Sequence, residues 1–491
     1  MLMKKAQLAL TFVLVLNNLI AQKVSFSALD LKGKFLLNII GSDDQLNVWL
    51  TQTNTGDNKS KNGYVRLNNQ LMPVEFHKFN EAFNEWKEVH LSTLMYNNKL
   101  TLLLQCREDK MFKLSLHNPF TEAKKFVIAS SEKAFENELD FSGNSTHYIV
   151  PEMHCNCNGL SVECNHFVLT KGNYKQDDTK TQVLLDDKNN IIAQNIKPFI
   201  PQEKDGLKMR AYYGPYKENI LCRVEHYKKP GRITDFEFNF INYKTQSINK
   251  LKIPALPDHY YLTKSICRKD DTIEMTGLYN EDDDKAKMIN AKGFYKYTFN
   301  ETVAEPLSKT ITPLSQQGLD AFESIKDERG VLQNFSRLIR MDDGSYMIIG
   351  ESYEPSRTTG PAGDFQQSDE KYFGIFAIGF DADGNYKWVH KINRKEKISG
   401  VATSFLGPQR IGYGSFAYVK TNNIVHVLFN DDDNVVNYII TSDGEGKKSV
   451  VSFGDKAETV IFPKDYYRLS ETTILFPCIK NGKSEIVKLE Y

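Results

Sequence analysis

The sequence has no excess of charge of either sign and very few tryptophans. Its 62 Lys and Arg residues balance 62 Asp and Glu residues, whereas nucleic-acid-binding proteins usually carry a basic surplus or stripe. The composition therefore predicts no nucleic-acid partner. Only 3 of the 491 residues are Trp, which argues against a carbohydrate-binding cleft built on tryptophan platforms.

The chain also lacks the local signatures of the commonest enzyme classes. It has no Gly-x-Ser-x-Gly elbow, no His-Glu-x-x-His pair, no Walker loop and no dinucleotide-binding fingerprint. Catalytic residues can still be gathered from distant parts of a fold without any local motif. The sequence therefore leaves open whether the protein is an enzyme, and it favours a non-enzymatic role.

Long hydrophobic runs are missing after the first residues of the chain. Lys4 and Lys5 precede an apolar run over residues 6–16, and Leu19-Ile20-Ala21-Gln22 resembles a cleavage site. A run this short cannot cross the ~30 Å hydrocarbon core of a bilayer as a helix, but it suits a signal peptide. We expect residues 1–21 to be removed and a soluble chain without a transmembrane segment to be exported to the periplasm or outside the cell. The alternative is an uncleaved membrane anchor.

Beyond residue 22, short apolar-alternating runs recur between clusters of Asn, Asp, Gly and Lys, a pattern that predicts strands and turns. The clearest runs are residues 335–341, 346–353, 372–380 and 386–392. Asp343-Gly344 and Asp383-Gly384 fall between paired runs, and Asp-Gly is a strong hairpin signal because Gly accepts the positive φ of tight turns. The sequence therefore predicts an all-β protein.

The strands group into four-stranded units of the length expected for β-propeller blades. Comparable sets fall within residues 34–78, 91–128, 147–196, 207–253, 260–311, 335–392 and 415–453. Residues 466–490 supply three strands and residues 24–31 supply one, so that pairing the two ends completes an eighth blade. We predict a closed propeller of eight blades, with seven blades, or a tandem of two β-sandwiches, as alternatives.

Residues 22–491 are predicted to form one propeller domain with insertions near residues 131–146, 313–334, 354–371 and 393–414. The polar insertion within 354–371 holds Arg357, Thr358, Thr359 and Asp364. Long loops on a rigid scaffold commonly carry binding, so these four residues form a candidate binding loop. A surface insertion without function is the alternative.

Residues 342–388 carry a resemblance to known proteins. The runs Asp-Gly-Ser-Tyr-Met-Ile-Ile-Gly-Glu-Ser-Tyr and Phe-Asp-Ala-Asp-Gly-Asn-Tyr-Lys-Trp resemble blades of uncharacterised secreted β-propeller proteins of Bacteroidetes, and the Leu-Ile-Ala-Gln ending of the first segment is similar to theirs. The resemblance implies the fold and the compartment and no particular activity.

The one concentrated chemical signal is a group of Cys and His residues. In a hairpin about residues 159–162, Cys157 opposes Cys164 and Cys155 opposes His166 on one face. Three thiolates and an imidazole can hold zinc, which is the one cofactor candidate, whereas an oxidising compartment favours a disulfide. Unpaired buried residues are the third interpretation. The remaining cysteines lie singly on apolar strands and are predicted core residues: Cys106, Cys222, Cys267 and Cys478.

Carboxylates are frequent in the predicted turns, for example at residues 282–284, at Asp381 and Asp383, and at residues 431–433. They suit either calcium or ordinary turn chemistry, in which Asp accepts backbone hydrogen bonds. None has the spacing of a known calcium loop, so we interpret them as turn residues.

Two function classes follow. The first is an exported binding or scaffold protein that presents a rigid propeller surface to an unknown protein or glycan. The second is a propeller enzyme that acts on glycans or other extracellular polymers. Export, a rigid scaffold and the absence of a catalytic motif favour the first.

The Cys and His group is testable by mass and metal content. A disulfide lowers the intact mass by two hydrogens and resists a chelator, whereas a zinc site keeps the thiols and releases metal to a chelator. Intact-mass analysis with and without a chelator separates the two. If neither the mass loss nor bound metal is found, both interpretations are contradicted.

Overall fold

The computed structural model describes residues 23–29, 31, 35–54, 62–82, 88–96, 99–108, 111–118, 126–131, 167–173, 176–185, 191–196, 207–216, 219–229, 232–242, 244–262, 265–269, 271–281, 290–325, 332–357, 368–394, 415–431, 434–453 and 459–491.

Four sheets of the described chain contain four strands each, hydrogen-bonded in chain order. The first two are β2 (Phe35–Ser42), β3 (Val48–Asn54), β4 (Gly63–Leu67) and β5 (Pro73–Lys78), then β6 (Glu88–Tyr96), β7 (Lys99–Glu108), β8 (Met111–His117) and β9 (Phe126–Ser131). The other two are β22 (Leu332–Arg340), β23 (Tyr346–Arg357), β24 (Ser368–Phe380) and β25 (Tyr386–Asn393), then β26 (Ala417–Thr421), β27 (Ile424–Asp431), β28 (Asn434–Thr441) and β29 (Gly446–Val450). The all-β prediction is thereby confirmed.

A three-stranded sheet and a nine-stranded sheet lie between these sets in the sequence. The smaller consists of β10 (Phe167–Asn173), β11 (Gln176–Leu185) and β12 (Ile191–Ile196). The larger consists of β13 (Lys208–Tyr216), β14 (Asn219–Lys229), β15 (Arg232–Asn242), β16 (Ile248–Ile253), β17 (His259–Tyr261), β18 (Ser265–Lys269), β19 (Thr272–Glu281), β20 (Gly293–Phe299) and β21 (Ser308–Pro313). The sequence predicts two separate four-stranded sets here, within residues 207–253 and 260–311. In the structure β17 pairs with both β15 and β19 and so joins the two sets into one sheet.

Helices are short in the described chain. They are α1 (Phe79–Ala82), α2 (Gln316–Ser324) and a 3-10 turn at Pro463–Asp465. Helix α2 lies in the predicted insertion near residues 313–334. Ser315 caps it by accepting a hydrogen bond from the Gly318 amide at 3.2 Å, and Phe322 is buried in the core.

Asp-Gly turns form as the sequence predicts. Gly344, Gly384 and Gly444 have φ angles of 85°, 83° and 93°, a region that disfavours a side chain. Asp381 stabilises its turn, because its carboxylate accepts hydrogen bonds from the backbone amides of Asp383 and Asn385 and from the Asn385 side chain. Burial alone would raise the pKa of Asp381, but these hydrogen bonds outweigh it and lower that pKa.

The strands around the predicted binding loop are longer than expected. Strand β23 continues to Arg357 and β24 begins at Ser368, so both ends of the predicted 354–371 insertion belong to strands. The connection between β23 and β24 is therefore shorter than the sequence indicates. Polar residues at the facing ends of both strands interrupt the apolar–polar alternation by which the sequence predicts a strand.

The two ends of the chain pair with each other. Strand β1 (Lys23–Phe26) runs antiparallel to β33 (Lys483–Glu490), with Val24 opposite Leu489, and the Ser27 amide donates to the Ile486 carbonyl at 2.8 Å. The same sheet contains β30 (Thr459–Ile461), β31 (Tyr467–Arg468) and β32 (Thr473–Lys480). The predicted pairing between the strands near both ends is therefore observed. The three-residue β30 is too short to be recognised in the sequence.

Contacts divide the chain into two units. Unit 1 is Met1–Lys78, Glu351–Ile375 and Ile392–Tyr491, and unit 2 is Phe79–Gly350 and Phe376–Lys391. In unit 1, side chains of the first sheet such as Leu50 and Val65 pack with Leu475 and Ile486. In unit 2, Phe236, Phe238 and Phe240 pack with tyrosines of β17 and β20.

Within the described residues, no helix is long and apolar enough to cross a membrane.

Deleting residues 24–31 removes one of the two strands that pair with β33 and also Leu29 and Leu31, which are buried. The melting temperature should fall and aggregation should rise, because the deletion opens a sheet edge and exposes core. The matched control is Lys23→Ala, which removes only the exposed ion pair with Glu490 and should leave the melting temperature nearly unchanged. Equal melting and solubility of the deletion variant and the full chain would contradict a structural role for β1.

Candidate functional site

The sequence-predicted site residues fall almost entirely outside the described chain. This holds for Cys155, Cys157, Cys164 and His166, and for Thr358, Thr359 and Asp364. Arg357 is the last residue of β23. Cys222 and Cys478 are buried, as predicted for core residues, whereas Cys106 is only partly buried. Among the described residues, no group of three or more His, Cys, Asp or Glu side chains is arranged to hold a metal ion.

A buried ion pair lies in unit 1, beside the connections that the sequence singled out. Glu351 follows the buried run of residues 346–350 in β23, and Arg394 directly follows β25. Their side chains are 4% and 0% exposed, and the Arg394 Nη2 atom lies 3.6 Å from the Glu351 Oε2 atom. Charges are rarely buried this deeply unless they are paired.

Ser415 bonds to both members of the pair. Its hydroxyl donates to the Glu351 Oε1 atom at 2.8 Å, and its carbonyl accepts from the Arg394 Nη1 atom at 2.8 Å. Its backbone has a φ of 77°, a left-handed conformation that a non-glycine residue adopts only where its surroundings hold it. We call Glu351, Arg394 and Ser415 the Glu351 cluster.

The Glu351 cluster fixes both ends of a long connection. Arg394 and Ser415 flank residues 395–414. Ser415 hydrogen-bonds to Glu351 in the middle of β23, and Arg394 forms an ion pair with the same Glu351. Strand β23 continues toward the predicted binding loop. Because Glu351 neutralises Arg394 and both side chains are enclosed, the cluster suits holding backbone in place rather than acid–base chemistry. One feature of the sequence could have predicted the cluster, namely that Glu351 directly follows a continuous apolar run.

Unit 2 contains an oriented imidazole. The His226 Nδ1 atom lies 2.8 Å from the Asp235 Oδ1 atom, and the Thr234 hydroxyl donates to Asp235 Oδ2 at 3.1 Å. An Asp–His pair of this kind orients a general base in many enzymes. The His226 side chain is only 2% exposed, so a polymer substrate cannot reach it in this structure.

A second buried histidine lies in unit 1. His426 contacts the ring of Tyr491, with centroids 3.9 Å apart, and hydrogen-bonds with Asn437. Burial lowers the pKa of His426 to about 4, although the Asn437 bond opposes this shift. The imidazole is therefore neutral at physiological pH and packs against the ring of Tyr491.

No protein-family model matches the chain, and no curated protein matches it significantly. Solved structures give distant likenesses. The Dos1 propeller has a TM-score of 0.39 and 7% identity, covering 96% of this chain and 94% of its own. The polysaccharide lyase Uly1 has a TM-score of 0.39 and 10% identity, covering 85% and 93%.

Prolyl oligopeptidase B from Galerina marginata has a TM-score of 0.37 and 9% identity, covering 93% of this chain and 56% of its own.

Replacing one member of the Glu351 cluster should strongly destabilise unit 1. Glu351→Leu leaves the Arg394 charge buried without its counter-ion, which typically costs about 3–5 kcal/mol of unfolding free energy. The double variant Glu351→Leu/Arg394→Met removes both charges and should recover most of that loss. Chemical denaturation measures both.

The control is Glu281→Gln in unit 2, which removes the carboxylate of an exposed ion pair with Lys292 and should change stability by less than about 1 kcal/mol. If the unfolding free energy of the double variant is no higher than that of Glu351→Leu, Glu351 and Arg394 do not act as a buried ion pair.

Proposed function

We propose that this protein is an exported, non-enzymatic binding protein. It presents loops of an eight-bladed β-propeller to an extracellular ligand, which is a protein or a glycan. The main support for the proposal is the Glu351 cluster, in which Arg394 and Ser415, the residues on either side of the connection 395–414, contact Glu351 in the strand that leads to the predicted binding loop.

The strand order supports the propeller. Four sheets contain four strands in chain order, and β10–β12 form a further set. The nine-stranded sheet divides into β13–β16 and β18–β21, with β17 as a bridge. The set made by β1 with β30–β33 is the eighth. A propeller requires such a succession of sheets and uses the two ends of the chain to complete one blade.

The anchoring favours binding. A surface insertion without function needs no buried charges at its ends, whereas a loop that recognises a partner gains affinity when its ends are held in one conformation. Glu351, Arg394 and Ser415 supply this constraint at the cost of desolvating two charges. Sites built on such rigid supports commonly carry binding in their loops.

The buried acid–base groups support a non-enzymatic role. The imidazole of His226 is enclosed with Asp235, and that of His426 is enclosed with Asn437 and Tyr491. These groups hold strands together instead of facing a substrate. An enzyme that acts on glycans is the competing proposal, and the experiment below separates the two.

The test is affinity electrophoresis against a panel of neutral, polyuronic and sulfated polysaccharides, with the polymer length measured afterwards. We expect at least one polymer to retard the full chain without being shortened. Replacing residues 358–367 by a Gly-Ser segment of equal length should abolish retardation. The same replacement of residues 454–458, between β29 and β30, should preserve it.

Three results would count against the proposal. Shortened polymer, with new reducing ends or new ultraviolet absorbance, would favour the enzyme. Retardation that survives replacement of residues 358–367 would contradict the binding loop. Retardation by no polymer would contradict a glycan ligand.

A further inference from the structure

Two sheets of unit 1 meet in one apolar core. Leu428 of β27 and Val435 of β28 pack there with Phe476 of β32 and Leu489 of β33, and Tyr491, which directly follows β33, packs against them. We call this contact between the β26–β29 sheet and the sheet of β1 and β30–β33 the seam. Among the described strands no hydrogen-bonded ladder crosses the seam, so side chains hold the two sheets together.

His426 of β27 lies at the seam. It shares the face of Leu428, because alternate strand residues point the same way, and its ring centroid lies 3.9 Å from that of Tyr491. Its Nδ1 atom lies 3.2 Å from the Asn437 Nδ2 atom, and its Nε2 atom lies 3.3 Å from the Thr421 hydroxyl oxygen. Both hydrogen-bonding partners are neutral, so the surroundings suit an uncharged imidazole.

The ionisable side chains of the adjoining strands supply no counter-ion for His426. Those that alternate onto the faces directed away from the seam include Lys420, Asp431, Tyr438, Lys488 and Glu490. Those that share the seam face at the far end of β32 and β33 from Tyr491 are Lys480, Lys483 and Glu485. At the end that contains His426, the seam face has Arg468 of β31 and the exposed Lys447 of β29, which are both basic.

Tyr491 itself adds two acidic groups, its phenol and its terminal carboxylate. Burial lowers the pKa of His426 to about 4, and the one opposing contribution is the hydrogen bond with Asn437. A proton taken up inside the closed seam therefore leaves a buried charge without an ionic partner, which is unfavourable.

We propose that His426 makes the seam sensitive to acid, so that Tyr491 and the end of β33 separate from β27 when the imidazole takes up a proton. The charged ring gains water only if the enclosing Tyr491 moves away.

The pH range of this opening follows from the two states of His426. Its pKa is about 4 in the closed seam, against an ordinary value of 6.5. The closed seam is therefore fully favoured above pH 6.5 and loses stability as the pH falls from 6.5 to about 4. Within this range the opening equilibrium should rise by at most about tenfold per pH unit.

Native-state hydrogen exchange of the full chain tests the proposal. The reporter is the Tyr491 amide, which donates to the Thr472 carbonyl at 2.9 Å and is followed in overlapping C-terminal peptides. Rates are divided by those of an unstructured peptide at the same pH, so that only protection is compared. Between about pH 7.5 and about pH 5, protection of Tyr491 should fall by about ten- to thirtyfold. Protection of β20 in unit 2 should change much less.

Two variants separate the titration of His426 from a general effect of acid. His426→Gln takes up no proton, and Asn437→Asp places a carboxylate beside Nδ1 that pairs with the imidazolium. In each variant, protection of Tyr491 should change by less than about threefold between the two pH values. The matched control is His77→Gln, which removes a partly buried histidine of β5 in the same unit and should leave the acid sensitivity unchanged.

Equal protection of Tyr491 at both pH values in the unchanged chain would overturn the proposal. Greater protection at the lower pH would also overturn it, because the Tyr491 ring would then hold the imidazolium as a cation. Loss of protection that persists in His426→Gln and in Asn437→Asp would assign the opening to other groups and would overturn the role of His426.

Discussion

The pairing of β1 with β33 joins the first and the last strand of unit 1. Four consecutive residue pairs join the strands, and Ser27 adds a reciprocal contact. Its amide donates to the Ile486 carbonyl, and its hydroxyl accepts from the Ile486 amide at 2.9 Å. Backbone pairing of this kind satisfies polar groups that would otherwise form an open edge. The contact joins residues that are more than four hundred positions apart in the chain.

Polar side chains extend this constraint to neighbouring strands. The Ser484 hydroxyl donates to the Phe35 carbonyl at 2.6 Å, which ties β33 to β2. Asn430 bridges β27 to β30 by donating to the Ile461 carbonyl at 2.9 Å and accepting from the Ile461 amide at 3.2 Å. The Glu351 cluster uses the same principle for a long connection. Each of these side chains replaces a backbone partner, so that sheets which do not share a ladder are held together.

Features that depend on neighbouring residues in the chain, such as strands and tight turns, could be predicted from the sequence. Strands with alternating side chains and Asp-Gly turns are found where the sequence places them, because Gly384 and its equivalents have the positive φ that these turns require. The pairing of the chain ends was also predictable, since the last strands lacked a partner. Strands β17 and β30 have three residues each, which is too few to show any period, and only tertiary pairing defines them.

The site depended on information that one sequence does not contain. Glu351 and Arg394 have the local pattern of ordinary polar positions, and only the tertiary contacts with each other and with Ser415 bring them together. Periodicity gives the faces of a strand, whereas burial is a property of the packed sheets.

The pairing of β1 with β33 can be tested by native-state hydrogen exchange, followed by mass spectrometry of the peptide that contains residues 23–27. If β1 is held to β33, its hydrogen-bonded amides, such as that of Ser27, should exchange as slowly as those of β32 and β33, because all three strands open only in the same cooperative unfolding event. Exchange of residues 23–27 at the rate of an unstructured peptide, while β33 remains protected, would contradict the account.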